Sequence, residues 1–197
     1  MSTTNTTNIS LVKPTVGTKE PWDQSLVNGN WDKIDAAFGE TPSKFTTTTV
    51  SNTTTETSLF LWTISGGTQG SAYRMRIWGT FDHASSATAT LRAKIGGTTF
   101  ATQALAAPAS VLTNRTWDVT AEIVISVTGA SGKWRGSMFG LWLNNTTVTP
   151  YQQIPTAETT KDTTVGQGLE VSVQWTAASA SSVFRADAGY AGRVTNL

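Results

Sequence analysis

Cysteine is absent from the 197-residue chain. That excludes disulfides, thiolate metal sites and cysteine nucleophiles. Charge is scarce too: charged residues make up 14% of the chain, against roughly 25% in ordinary soluble domains. The net charge of +1 creates no bulk field that would gather nucleic acid or an acidic membrane. The sole histidine is His83, and with no cysteine to complete a ligand set this argues against a zinc centre. No apolar run approaches the roughly 20 residues that span a bilayer. The first ten residues, MSTTNTTNIS, lack the basic start and apolar core of a secretory signal. The expectation is a protein without membrane insertion that stays where it is made, or leaves as part of something larger.

What the chain does have is threonine, about a fifth of its residues, and eight tryptophans. Threonine favours strands and supplies neutral polar surface. Tryptophan is bulky, amphipathic and enriched at interfaces. Residues 1–20 are polar and expected to be extended or disordered on their own. PWDQSLVNGNWDKIDAAFG, Pro21 to Gly39, then predicts one short amphipathic helix. Trp22, Leu26, Trp31, Ile34 and Phe38 form its apolar stripe. Pro21 suits the first helical position and Gly39 the position just past the end. Gly29 weakens the middle, so the stripe needs a surface to lie on.

From residue 45 the period changes from helical to two. Eight strands are predicted, at 55–64, 72–82, 86–95, 98–105, 116–128, 133–143, 169–175 and 182–194. Gly96-Gly97 reads as a two-residue hairpin turn, and the stretch around Pro150 and Pro155 as a polar loop. No second helical pattern lies between strands, so the expected fold is an all-β antiparallel sandwich. Eight strands in two sheets is the jelly-roll number, and an immunoglobulin-like sandwich is the alternative. The expected division is 1–40, arm and helix, and 45–197, sandwich. Strands 72–82 and 133–143 carry Trp or Phe on both faces. An antiparallel sandwich normally leaves one face of each sheet polar, so the second face is expected to be covered, most simply by identical subunits.

Catalytic patterns are thin. His83 follows Asp82, and residues adjacent on a strand point to opposite faces; no nucleophile elbow is present. It reads as a turn histidine. Asp118 and Glu122 share an outward strand face, where a solvated surface is the ordinary reading and a glycosidase pair the sharper one. Arg74 with Arg76, and Arg92 with Lys94, make small basic spots. Glu158 and Asp162 are too sparse for a calcium loop. No catalytic, cofactor-binding or metal-binding residues are therefore assigned, and no cofactor is expected. Trp117 and Trp175 fall inward. Trp78 and Trp134 are expected at a subunit interface or on a glycan.

The stretch TNISLVKPTVGTKEPWDQSLVNGNWDKIDAAFG resembles the leader of tailed-bacteriophage virion proteins, through Lys13, Pro14, Gly17, Trp22, Asn30, Trp31, Ile34, Asp35 and Phe38. TVSNTTTETSLFLWTI, MRIWGTF and ATLRAKIGGTTF are similar to β-sandwich domains of phage tail fibres and head-attached fibre or decoration proteins. The resemblance implies a structural, non-enzymatic role, often trimeric, in a virion assembled in the host cytoplasm. It also implies docking to other virion proteins (capsid, neck or tail) through residues 1–40. A carbohydrate-binding adhesin that meets a host surface glycan at the tail tip is the other reading.

Overall fold

The computed structural model describes residues 3–5, 12–14, 43–44, 46–84, 87–106, 110–144 and 147–194. The chain divides into two units, Met1–Thr41 and Pro42–Leu197. In the first, strand β1 (Thr3–Asn5) pairs antiparallel with β2 (Val12–Pro14). The predicted helix and its stripe, Trp22, Leu26, Trp31, Ile34 and Phe38, lie outside the described residues.

The second unit is all-β among the described residues, with two antiparallel sheets in a curled, sandwich-like arrangement. Two short strands, β3 (Ser43–Lys44) and β4 (Thr48–Ser51), come first. They are followed by β5 (Thr57–Ile64), β6 (Ala72–His83), β7 (Ala89–Ile95) and β8 (Thr98–Leu105). The long β9 (Leu112–Val127) and β10 (Lys133–Asn144) lead to β11 (Thr147–Gln153) and β12 (Thr159–Thr160). β13 (Gln167–Trp175) and β14 (Val183–Val194) complete the unit. The larger sheet runs β11-β10-β9-β6-β14-β3, with β12 also on β10 and β4 also on β14. The smaller runs β5-β13-β7-β8.

All eight predicted strands are present, because each buries its alternate residues as its pattern requires. Tyr73, Met75, Ile77 and Phe81 of β6 face inward, as do Ala89, Leu91, Ala93 and Ile95 of β7. The smaller sheet turns Ala89, Leu91, Ala93 and Ile95 of β7 and Trp175 of β13 to the interior, and the larger sheet adds the indoles of Trp117, Trp134 and Trp142. Alternation of small and large groups lets two facing layers interdigitate. Gly96 and Gly97, at φ +53° and +77°, join β7 to β8 with Ile95 opposite Thr98. Two consecutive left-handed residues are what a type I′ hairpin requires.

Three expectations are corrected. The stretch around Pro150 is a strand, β11, not a loop. Proline donates no hydrogen bond and is tolerated at a sheet edge, and Pro150 sits opposite Leu141 on the edge strand. Val127 was expected inside and is 46% exposed. The register shifts between Lys133 and Trp134, and this irregularity turns the end of β9 outward. His83 is not a turn residue: β6 continues through it, and alternation places it inside with Phe81.

Candidate functional site

Strand alternation gives the two sheets very different outer faces. The smaller sheet's is mostly polar, with Leu61 of β5 its one exposed large apolar side chain among the described residues. Glu56 there pairs with Lys94, accepts from Ser172 Oγ at 2.5 Å and lies 3.6 Å from Arg92. Burial pushes the Glu56 carboxyl up, but bonds from Lys94 and Ser172 and the nearby cations outweigh it and hold it below the ordinary value. The larger sheet instead shows Trp78, 41% exposed, Leu141, 46%, and Val148, 56%. Pairing explains why these group. Trp78 lies opposite Asp118, Asp118 opposite Leu141, and Val148 opposite Leu143, and paired residues share a face.

One rung along, Tyr190, Arg76, Thr120, Phe139 and Gln152 form a second row across β14, β6, β9, β10 and β11. This row floors an open groove of about 820 Å³, whose walls include Arg74, Asp118, Leu141 and Pro150. Thr120 points to the outer face yet is only 5% exposed, which shows that the face is concave there. Below the edge, Tyr151 sits opposite Gly140 and donates its hydroxyl to the Asp118 carbonyl at 3.0 Å. A Cβ at Gly140 would lie 2.6 Å from that hydroxyl, so glycine leaves the space for Tyr151. Burial pushes the Tyr151 phenol well above its ordinary value, with the Asp118 charge adding to it.

The charged groups of the groove neutralise one another. Arg74 Nε donates to Glu122 Oε1 at 2.5 Å. Arg76 reaches Asp118 Oδ2 with Nε at 2.6 Å and Nη2 at 2.5 Å, and this bond holds the Arg76 guanidinium above its ordinary pKa. Partly exposed pairs of this kind contribute about 0–1 kcal/mol, so their main effect is to fix geometry and cancel charge. Arg76 also lies 5.9 Å from the Trp78 ring centroid, and Tyr190 meets Trp78 edge-on at 6.3 Å.

The sequence-predicted residues sort as follows. Trp78 is on the surface. Trp134 is not: it is 1% exposed in the core, with its indole donating to the Lys161 carbonyl at 3.3 Å. Ordinary alternation along β10 puts Trp134 on the same inner face as Met138 and Trp142, so its ring is not offered to a subunit or a glycan. Trp117 and Trp175 are buried as expected. Arg74 and Arg76 are neutralised by Glu122 and Asp118, while Arg92 and Lys94 share the single carboxylate of Glu56. Asp118 and Glu122, four residues apart on one strand, are separated by roughly 13 Å at the usual rise. Each is held by its own arginine, Asp118 by Arg76 and Glu122 by Arg74, rather than facing the other. Glu158 is engaged by Arg135 and Lys133, and Asp162 caps Thr164.

His83 is fully buried. Its ring lies 5.1 Å from Trp175 and 6.0 Å from Phe81, and Nε2 bonds the Ala87 carbonyl. Asp82 points away and binds Arg185 and the Asn114 amide. Among the described residues no group of three or more His, Cys, Asp or Glu could hold a metal ion, and no helix is long and apolar enough to cross a membrane.

Sequence reading missed the row Tyr190, Phe139 and Gln152. Apolar residues on both faces of KWRGSMFGLWL were the available signal. Their partners on β11 and β14 became visible only with the register. The chain matches no family model, no curated protein and no solved structure.

Proposed function

We propose that this chain is a non-enzymatic structural protein of a tailed-phage virion. Its sandwich is a jelly roll that projects from the particle as a homotrimer, and residues 1–40 dock it to capsid, neck or tail. The virion reading rests on the resemblance of the leader. The jelly-roll reading rests on pairing. In chain order the main strands are β4, β5, β6, β7, β8, β9, β13 and β14. The first pairs with the eighth, the second with the seventh, the third with the sixth and the fourth with the fifth. A single long ribbon folded over on itself has this scheme, with β10 to β12 inserted after its sixth strand.

The observation that carries the oligomer is the grouping of three exposed apolar side chains, Trp78, Leu141 and Val148, on the outer face of the larger sheet. Exposed apolar groups gathered on one face mark a contact surface. Native mass measurement is expected to give a trimer, and Leu141→Glu to give a monomer with an unchanged melting temperature. An unpaired carboxylate costs several kcal/mol when buried in a contact and nothing when solvated. A monomeric wild-type chain ends the subunit reading. Removal of residues 1–40 is expected to abolish particle binding while the sandwich melts as before. Attachment of the truncated chain at the wild-type level ends the docking reading.

The second reading, a carbohydrate-binding adhesin at the tail tip, is favoured by the groove itself.

A further inference from the structure

We infer that the groove floored by Arg76, Thr120 and Phe139 is a binding site for an uncharged oligosaccharide of two to four sugar units. This deepens the adhesin reading and is independent of the oligomer.

Size is the first argument. About 820 Å³ falls within the roughly 300–1,000 Å³ of small-ligand sites. Charge is the second. Two arginines and two carboxylates are paired internally, so the groove offers no uncompensated cation to a phosphate or an acidic sugar and no free anion to a basic peptide. Nucleic-acid binding depends on unpaired Lys and Arg that displace counterions, and the groove provides none. The mixture of groups in the groove also suits a sugar. A pyranose has apolar C–H faces and a rim of hydroxyls that both donate and accept. Tyr190 and Phe139 stand at either side of the floor as ring surfaces. The Gln152 amide offers a donor and an acceptor. Asp118 Oδ1 has no partner among the described residues, its bonded oxygen being Oδ2.

The ion pairs also preorganise the site. Arg76 is fixed by Asp118 on one side and Trp78 on the other, so less side-chain freedom is lost when a ligand arrives. A neighbouring subunit seated on Trp78, Leu141 and Val148 would form a wall beside the groove and leave its floor open.

The test is binding by the full chain to neutral oligomers of glucose, galactose, mannose and N-acetylglucosamine, with sialylated and sulfated oligosaccharides alongside, measured by calorimetry. At least one neutral oligomer is expected to bind with a Kd of about 1 mM or tighter, with no advantage for the acidic probes. Phe139→Ala and Gln152→Ala are each expected to weaken it about tenfold with little change in melting temperature. Three results would overturn the proposal. One is no neutral probe binding at roughly 10 mM, well above the expected Kd. Another is binding that both substitutions leave intact. The third is a groove whose backbone amides are protected only in the oligomer, which would make a second copy the occupant. None of these bears on whether the chain is a trimer, which native mass decides.

Discussion

Gly79→Ala is expected to destabilise the sandwich by about 3 kcal/mol or more. Gly79 lies in β6 between Trp117 of β9 and Ala186 of β14. The register of β14 slips between Ala186 and Ala188, and this bulge pushes the Arg185 carbonyl toward β6. A Cβ on Gly79 would stand 2.0 Å from that oxygen and 3.0 Å from the Asp187 nitrogen. Both obstacles are backbone, so no rotamer relieves them and β14 itself must move. Movement would also break the bond that Trp117 Nε1 donates to the Arg185 carbonyl at 3.0 Å, leaving a buried acceptor unsatisfied. For a unit of this size the loss corresponds to a fall in Tm of roughly 6–12 °C. Gly97→Ala is the control. No atom lies within 4 Å of its added Cβ, but φ is +77°, so only conformational strain of about 1 kcal/mol is expected. Equal melting temperatures for the two variants would refute the steric account.

The second large effect is acid lability centred on His83. Burial lowers its pKa below the ordinary 6.5, against the opposing pull of the Ala87 carbonyl. The folded state therefore binds fewer protons than the unfolded chain. Stability is fully present above pH 6.5 and is lost as pH falls from there toward the folded-state pKa. Nothing nearby relieves a charge on the ring. Among the described residues Nδ1 has no partner, the surrounding rings are Phe81, Trp142 and Trp175, and Asp82 is turned outward onto Arg185. Glu56, Glu158 and Asp162 have lowered pKa values as well. Their stabilisation is lost only below their ordinary values of 4.5, 4.5 and 3.8. Among the described groups with a lowered pKa, only His83 loses its contribution between pH 6.5 and 4.5. Chemical denaturation across this interval is expected to show a steady loss for the wild type and a flat profile for His83→Phe, whose ring suits the aromatic surroundings. A wild-type profile that is flat from 6.5 to 4.5 would contradict this assignment.

Much of the fold was legible in the sequence because alternation is a local property. AYRMRIWGTF needs no knowledge of its partners to sort Met75 from Arg76, and Gly96-Gly97 announces its own turn. β11 was hidden because TVTPYQQ holds a proline and little apolar pattern. It is a strand only because β10 is beside it. Trp134 was misplaced for a related reason. KWRGSMFGLWL has large apolar groups on both faces, and only the packed partner decides that the Trp134, Met138 and Trp142 face, not the Phe139 and Leu141 face, is the inner one. The groove was partly legible. Trp78 and the double-faced β10 indicated a non-standard outer surface. The alignment of Tyr190, Arg76, Thr120, Phe139 and Gln152 in one row depends on registers among five strands. The pairing of Asp118 and Glu122 with arginines likewise depends on cross-strand partners 42 and 48 residues away.

The position of β14 has a consequence for how the protein is made. Residues 183–194 are synthesised last among the strands, yet they lie between β6 and the flank formed by β3 and β4. Until they leave the ribosome, β6 has an open edge, and Val50 of β4 has no Phe184 to pair with. The larger sheet therefore closes only after translation has passed its final strand. Such pairing of distant segments is slow compared with local hairpins. In the interval the β6 edge, with its Met75, Ile77 and Phe81, is exposed to other nascent chains. Holding that edge apart until β14 arrives is the step at which a chaperone would most raise the yield.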